Sequence, residues 1–111
     1  MPLTREFNQT VKARAEVDEK FRIALLEEAI ELLIAGDLGT GKVLLRDYIN
    51  ATIGFKRLGV ITKKSSKSLM RMLSPDGNPR ADNMFCVIAS LQKEEGTRLS
   101  VRAQATRRRA A

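Results

Sequence analysis

The sequence predicts an all-α fold with one short β-strand near its C-terminal end. Three observations carry that expectation. Apolar residues recur at three- and four-residue spacing through most of the first 92 positions. Gly, Pro, Asp and Ser clusters cut this pattern into segments of helical length. Only residues 97–103 switch to strict alternation, with Leu99, Val101 and Ala103 set against Arg98, Ser100 and Arg102. A length of 111 residues suits one domain, drawn here as 1–103, followed by a basic tail at 104–111 whose composition predicts disorder.

Thr4 can cap a first helix from about Arg5 to Ala15, with Phe7, Val11 and Ala15 on its apolar side. Asp18 precedes a second helix, about Glu19 to Ala35. Phe21, Ala24, Leu25, Ala29 and Leu32 form one stripe there, and Ile23, Leu26, Ile30 and Leu33 widen it. A stripe that wide predicts deep burial or a dimer contact. Gly36 ends the helix, 37–41 reads as a turn, and a third helix follows over about Lys42 to Thr52 until Gly54 breaks it. Two short helices come next, about 55–61 and 66–73. The cluster Ser74-Pro75-Asp76-Gly77-Asn78-Pro79 then turns the chain. Pro79 can open a last helix to about Gln92, with Met84, Phe85, Val87, Ile88 and Leu91 inward and Cys86 packed among them. A single strand after it needs a partner, which can be another chain.

Composition excludes several chemistries. There is no His and one Cys, so His-based acid–base work, Cys/His nucleophilic pairs and zinc clusters are not expected, and neither is an enzyme or a cofactor. A single thiol makes no internal disulfide, in keeping with a reducing, cytoplasmic setting. No apolar run approaches the ~20 residues of a bilayer span, and no apolar leader opens the chain, so neither a membrane nor a signal peptide is expected.

Charge is uneven. Residues 1–53 hold 7 basic and 9 acidic groups, whereas 54–111 hold 13 basic and 4 acidic. Positions 54–74 contain Lys56, Arg57, Lys63, Lys64, Lys67 and Arg71 with no acid at all. Such a segment calls for a polyanion. Its two short helices read as a helix-turn-helix over about 54–74. Gly59 stands where the helices cross, and Leu58, Ile61, Leu69 and Met72 are spaced to meet beneath. Ser65, Ser66, Lys67, Met70 and Arg71 remain on the outward face of the second helix, whose N-terminal residues suit base edges in the major groove.

The runs Gly54-Phe55-Lys56-Arg57-Leu58, Lys67-Ser68-Leu69-Met70-Arg71-Met72-Leu73-Ser74 and Gly77-Asn78-Pro79 resemble the addiction-module antidote proteins, HigA-like antitoxins with a Cro/repressor-type helix-turn-helix. The likeness covers about residues 40–100. It implies a repressor-like helical core, operator binding to double-stranded DNA as a homodimer, and a small RelE-like toxin as partner. Carried to this chain, it makes Ser66, Lys67 and Arg71 the base-reading or groove-lining positions. Arg71 either grips a guanine edge or clamps a phosphate. Ser68 caps the helix or touches phosphate, and Lys56, Arg57, Lys63 and Lys64 are backbone contacts. Asn78 caps the next helix or touches phosphate. Two positions depart from the family pattern. Gly59 replaces an Ala, and Lys63 replaces the turn Gly, so either the turn differs or Lys63 carries positive-φ strain. The Arg107-Arg108-Arg109 tail is also outside that pattern. It is either an arm along DNA or a solubilising end.

Other motifs yield to plainer readings. The run 36–42 has the two glycines and Lys42 of a phosphate-cradling loop, but Val43 replaces the magnesium-holding hydroxyl and a helix precedes it. Glu27, Glu28 and Glu31 read as a solvated helix face, or as an acidic patch for a basic toxin. Functions that remain open beside the antitoxin are a stand-alone or phage-type regulator, a general nucleic-acid or RNA-binding module, and a protein-interaction adaptor.

Overall fold

The computed structural model describes residues 5–106. Six helices follow one another: α1 (Arg5–Val17), α2 (Glu19–Ile34), α3 (Leu38–Ala51), α4 (Phe55–Thr62), α5 (Ser66–Met72) and α6 (Ala81–Glu95). The all-α expectation holds. Thr4 and Arg107-Arg108-Arg109 lie outside the described residues, as does the side chain of Phe7.

Local chemistry explains the boundaries. Asp18 caps α2, its carboxylate accepting from the Phe21 N–H at 3.1 Å, and that bond holds the Asp18 carboxyl below its ordinary range. Asp37 does the same for α3 by accepting from the Thr40 N–H at 3.2 Å. The helix therefore starts at Leu38 and takes in both glycines of the stretch expected to be a turn. The phosphate-cradling resemblance ends there, because that stretch is the opening of a helix rather than a strand-to-helix loop.

One core joins the elements. Leu26 and Ala29 of α2 meet Leu45, Tyr48 and Ile49 of α3, Phe55 and Leu58 of α4, Leu69 of α5, Leu73, and Val87 and Leu91 of α6. The α2 stripe is turned relative to the expected one: Leu26 is buried and Ala24 exposed. In α6, Met84, Val87, Ile88 and Leu91 make the inward face at i, i+3, i+4 and i+7 spacing. Phe85 and Cys86 fall outside that arc, so both are exposed, contrary to the inward packing the sequence predicts.

The expected strand is absent among the described residues: 97–106 forms no ladder. Alternation sorts side chains to two faces, but a strand also needs a neighbouring backbone, and no second extended segment lies beside this one. The segment is nonetheless tied to α6. Thr97 N–H donates to the Gln92 carbonyl at 3.0 Å, and Leu99 N–H donates to Gln92 Oε1 at 2.8 Å.

Among the described residues no helix is long and apolar enough to cross a membrane.

Candidate nucleic-acid interface

α4 and α5 are two short helices that pack against each other. Leu58 and Leu69 are fully buried beneath them, Met72 is half-buried, and Ile61 lies at the surface. Gly59 is required by contact. A Cβ built there would sit 2.6 Å from the Lys64 carbonyl, closer than carbon and oxygen allow, so the Ala of the resembling family does not fit this contact without movement.

The link between the helices is a tight reversal. Lys63 adopts φ 59° and ψ 38°, the left-handed region, and is the one non-glycine with positive φ among the described residues. Lys64 N–H then returns to the Gly59 carbonyl at 3.0 Å, closing α4. Of the two alternatives left by the sequence, a positive-φ Lys63 is the one found, and it carries the strain.

Ser65 is the N-cap of α5. Its hydroxyl accepts from the Ser68 N–H at 3.0 Å, so the capping oxygen belongs to Ser65 and not to Ser68. Lys67, Ser68, Met70 and Arg71 are exposed on α5, and Ser66 is half-buried. Among the described residues no carboxylate pairs with Lys56, Lys63, Lys67 or Arg71. Arg57 differs: its Nε lies 3.4 Å from Glu94 on α6, with both side chains well exposed. Lys64 also differs, its Nζ donating to Asn83 Oδ1 at 2.9 Å.

A surface concavity of about 490 Å³ brings Lys64, Ser68, Arg71 and Asn78 together with Asn83 and Asp76. The four residues predicted from three separate stretches thus share one hollow beside α5. Asn78 does not cap α6. Arg80 holds the N-cap position there, without a side-chain cap bond. Asn83 joins this group unpredicted, since a lone Asn in a helix carries no spacing signal.

A second set of unpredicted residues positions α5 from behind. Lys42, buried in α3, donates through Nζ to the carbonyls of Ser74 at 3.0 Å and Gly77 at 2.8 Å. One turn later, Arg46 Nη1 donates to the Leu73 carbonyl at 2.9 Å. Two cations on one face of α3 therefore hold the C-cap of α5, where positive charge is favourable, and the turn that follows it. Gly77 packs so closely on the Arg71 carbonyl that no side chain fits.

The third charged group lies elsewhere. Arg22 reaches Glu95 at 3.1 Å, and Tyr48 Oη donates to Glu95 Oε1 at 2.5 Å, joining α2, α3 and α6. Burial and the Glu95 bond push the Tyr48 phenol above its ordinary value, and the same carboxylate raises the Arg22 guanidinium. Burial also pushes the Asp47 carboxyl up. Glu27, Glu28 and Glu31 are exposed on α2. No group of His, Cys, Asp and Glu suited to a metal occurs among the described residues.

Comparison with family models, with curated proteins and with solved structures finds no match for this chain.

Proposed function

We propose that the protein is a sequence-specific DNA-binding regulator in which α5 enters the major groove. The observation that carries the reading is the capped α4–α5 pair, which with its link carries five cations without an acidic partner (Lys56, Lys63, Lys64, Lys67, Arg71). Each phosphate such a cation neutralises releases counterions and adds affinity for any duplex. Specificity comes from Ser66, Lys67, Met70 and Arg71 at base edges. Lys64, Ser68 and Asn78 edge one hollow beside α5, where a backbone phosphate would meet these donors together with the Asp76 carboxylate. Arg57 contributes less than its charge promises, because Glu94 already competes for it.

Two copies bind a two-part operator, each placing one α5 in successive major grooves about 34 Å apart. In the antitoxin form of the proposal, the same protein represses its own operon and masks a small RelE-like toxin. That part rests on the resemblance of the run 67–74, with the acidic face of Glu27, Glu28 and Glu31 as a landing surface for a basic partner.

Footprinting on the DNA upstream of the gene tests the reading. A defined protected site is expected, and equal affinity for random duplexes overturns it. Arg71→Ala should cost about 1–3 kcal/mol on the cognate site and relax the preference at one base pair. An equal loss on all sequences makes Arg71 a phosphate contact instead. Co-purification with the product of a neighbouring reading frame tests the toxin.

A further inference from the structure

Of the seven residues of α5, Leu69 is buried in the core and Met72 packs against it. Ser66, Lys67, Ser68, Met70 and Arg71 make up the rest of the helix. Four of these carry a hydroxyl or a cation. Met70 is the exception, an apolar side chain that is 45% exposed. It stands one helical turn from Ser66 and Lys67 and next to Arg71, on the face offered to base edges. Its thioether sulfur is only a weak acceptor, and the side chain has no donor.

That chemistry restricts what Met70 can meet. Against a base-edge donor or acceptor it would displace water and return no hydrogen bond. Against a phosphate it would desolvate a charge. The major groove offers one apolar group, the C5-methyl of thymine, while the other bases show donors and acceptors there. An unbranched, polarizable side chain can adapt its end to such a methyl group. We propose that Met70 packs on the C5-methyl group of a thymine and so fixes a thymine at one position of each half-site. This rests on the reading in which α5 enters the groove, and it adds which base α5 selects and by what force. The selection comes from buried apolar surface, so it separates thymine from uracil. The charged ends of Lys67 and Arg71 do not make that distinction, because both bases present the same O4 acceptor.

The test removes single methyl groups from the DNA. Each thymine of the footprinted site is replaced in turn by uracil, and the full chain is titrated on every duplex at one salt concentration. One buried methyl group corresponds to about fourfold in Kd. The wild type is expected to lose that factor at one thymine of a half-site. Met70→Ala should bind the thymine duplex as weakly as the wild type binds the uracil one, and should no longer tell the two apart. Met70→Leu stays apolar and should keep the preference. Val60→Ala truncates an apolar side chain of α4 that is 75% exposed, and should leave the preference unchanged. Because Met70 is exposed, the melting temperature of Met70→Ala should match the wild type, which separates a lost contact from a lost fold. A wild type indifferent to every uracil overturns the proposal, and so does a thymine preference that persists in Met70→Ala. Either result leaves a protected site in place, whereas a wild type that protects no defined site overturns the groove reading itself and this proposal with it.

Discussion

The α4–α5 edge and the Arg22–Tyr48–Glu95 cluster use positive charge in opposite ways. In the cluster a guanidinium is bound to a carboxylate whose side chain is 6% exposed, and a phenol completes that carboxylate's contacts. At the α4–α5 edge, Lys56, Lys63, Lys67 and Arg71 meet no carboxylate among the described residues. Lys42 and Arg46 are intermediate in kind, since they hold carbonyls rather than carboxylates, and what they hold is the C-cap of α5 and the turn after it. Net charge does not separate these roles. What separates them is whether a cation's donors are already satisfied inside the fold. A satisfied cation stabilises; an unsatisfied one is available to a polyanion.

Substitutions can break that contrast. The largest loss of stability is expected from Arg22→Ala, which strands Glu95 in the interior. About 3 kcal/mol should disappear in chemical denaturation, with no change in the salt dependence of DNA binding. Lys42→Met keeps the aliphatic stem but leaves the Gly77 carbonyl without its donor and the Ser74 carbonyl with the Gly77 N–H alone, for about 2 kcal/mol. Lys67→Ala should do the reverse, leaving the unfolding midpoint in place and reducing the salt slope of DNA binding by about 0.9. If Lys67→Ala destabilised the protein as much as Lys42→Met, the distinction drawn here would collapse.

The Tyr48 phenol gives a pH test. Its folded value lies above the unfolded one of about 10, so the native state holds the proton longer. The associated stability is complete below pH 10 and falls as pH rises beyond it, by up to about 1.4 kcal/mol per unit. Denaturation curves in that range should show the decline, and Tyr48→Phe should flatten it. The smallest effect sharpens the contrast rather than breaking it. Lys63→Gly relieves the left-handed strain and should raise stability by about 1 kcal/mol. The same change removes a free cation, so DNA affinity should fall while the melting temperature rises.

Much of the helical order is legible in the sequence because local rules act alone there. Asp18 caps as a capping residue should, Gly59 marks a close approach that admits no Cβ, and Lys63 falls at the turn that strains it. Misreadings arise where a second partner decides. The α3 start is hidden because Asp37 overrides the poor helix preference of Gly39 and Gly41. Phe85 and Cys86 look internal by hydrophobicity but lie off the buried arc of α6. The 97–103 alternation is real, yet pairing is a property of two backbones. At the candidate interface, Lys56, Lys67 and Arg71 are legible as charge. The roles of Lys42, Arg46 and Asn83 are not, because their contacts cross long stretches of chain.

The grip of Lys42 and Arg46 on the carbonyls after α5 also bears on how this region opens. A helix of seven residues is far too short to persist alone. With Leu69 and Leu73 sealed in the core and the helix end tethered to α3, α5 has no independent route to unfolding. Amide hydrogens of Leu69 and Leu73 should therefore exchange with solvent only when the whole domain opens, as slowly as those of Leu45 and Ile49. If α5 enters the major groove as proposed, it would meet DNA already rigid, with none of the ordering entropy that a loosely held helix surrenders on binding.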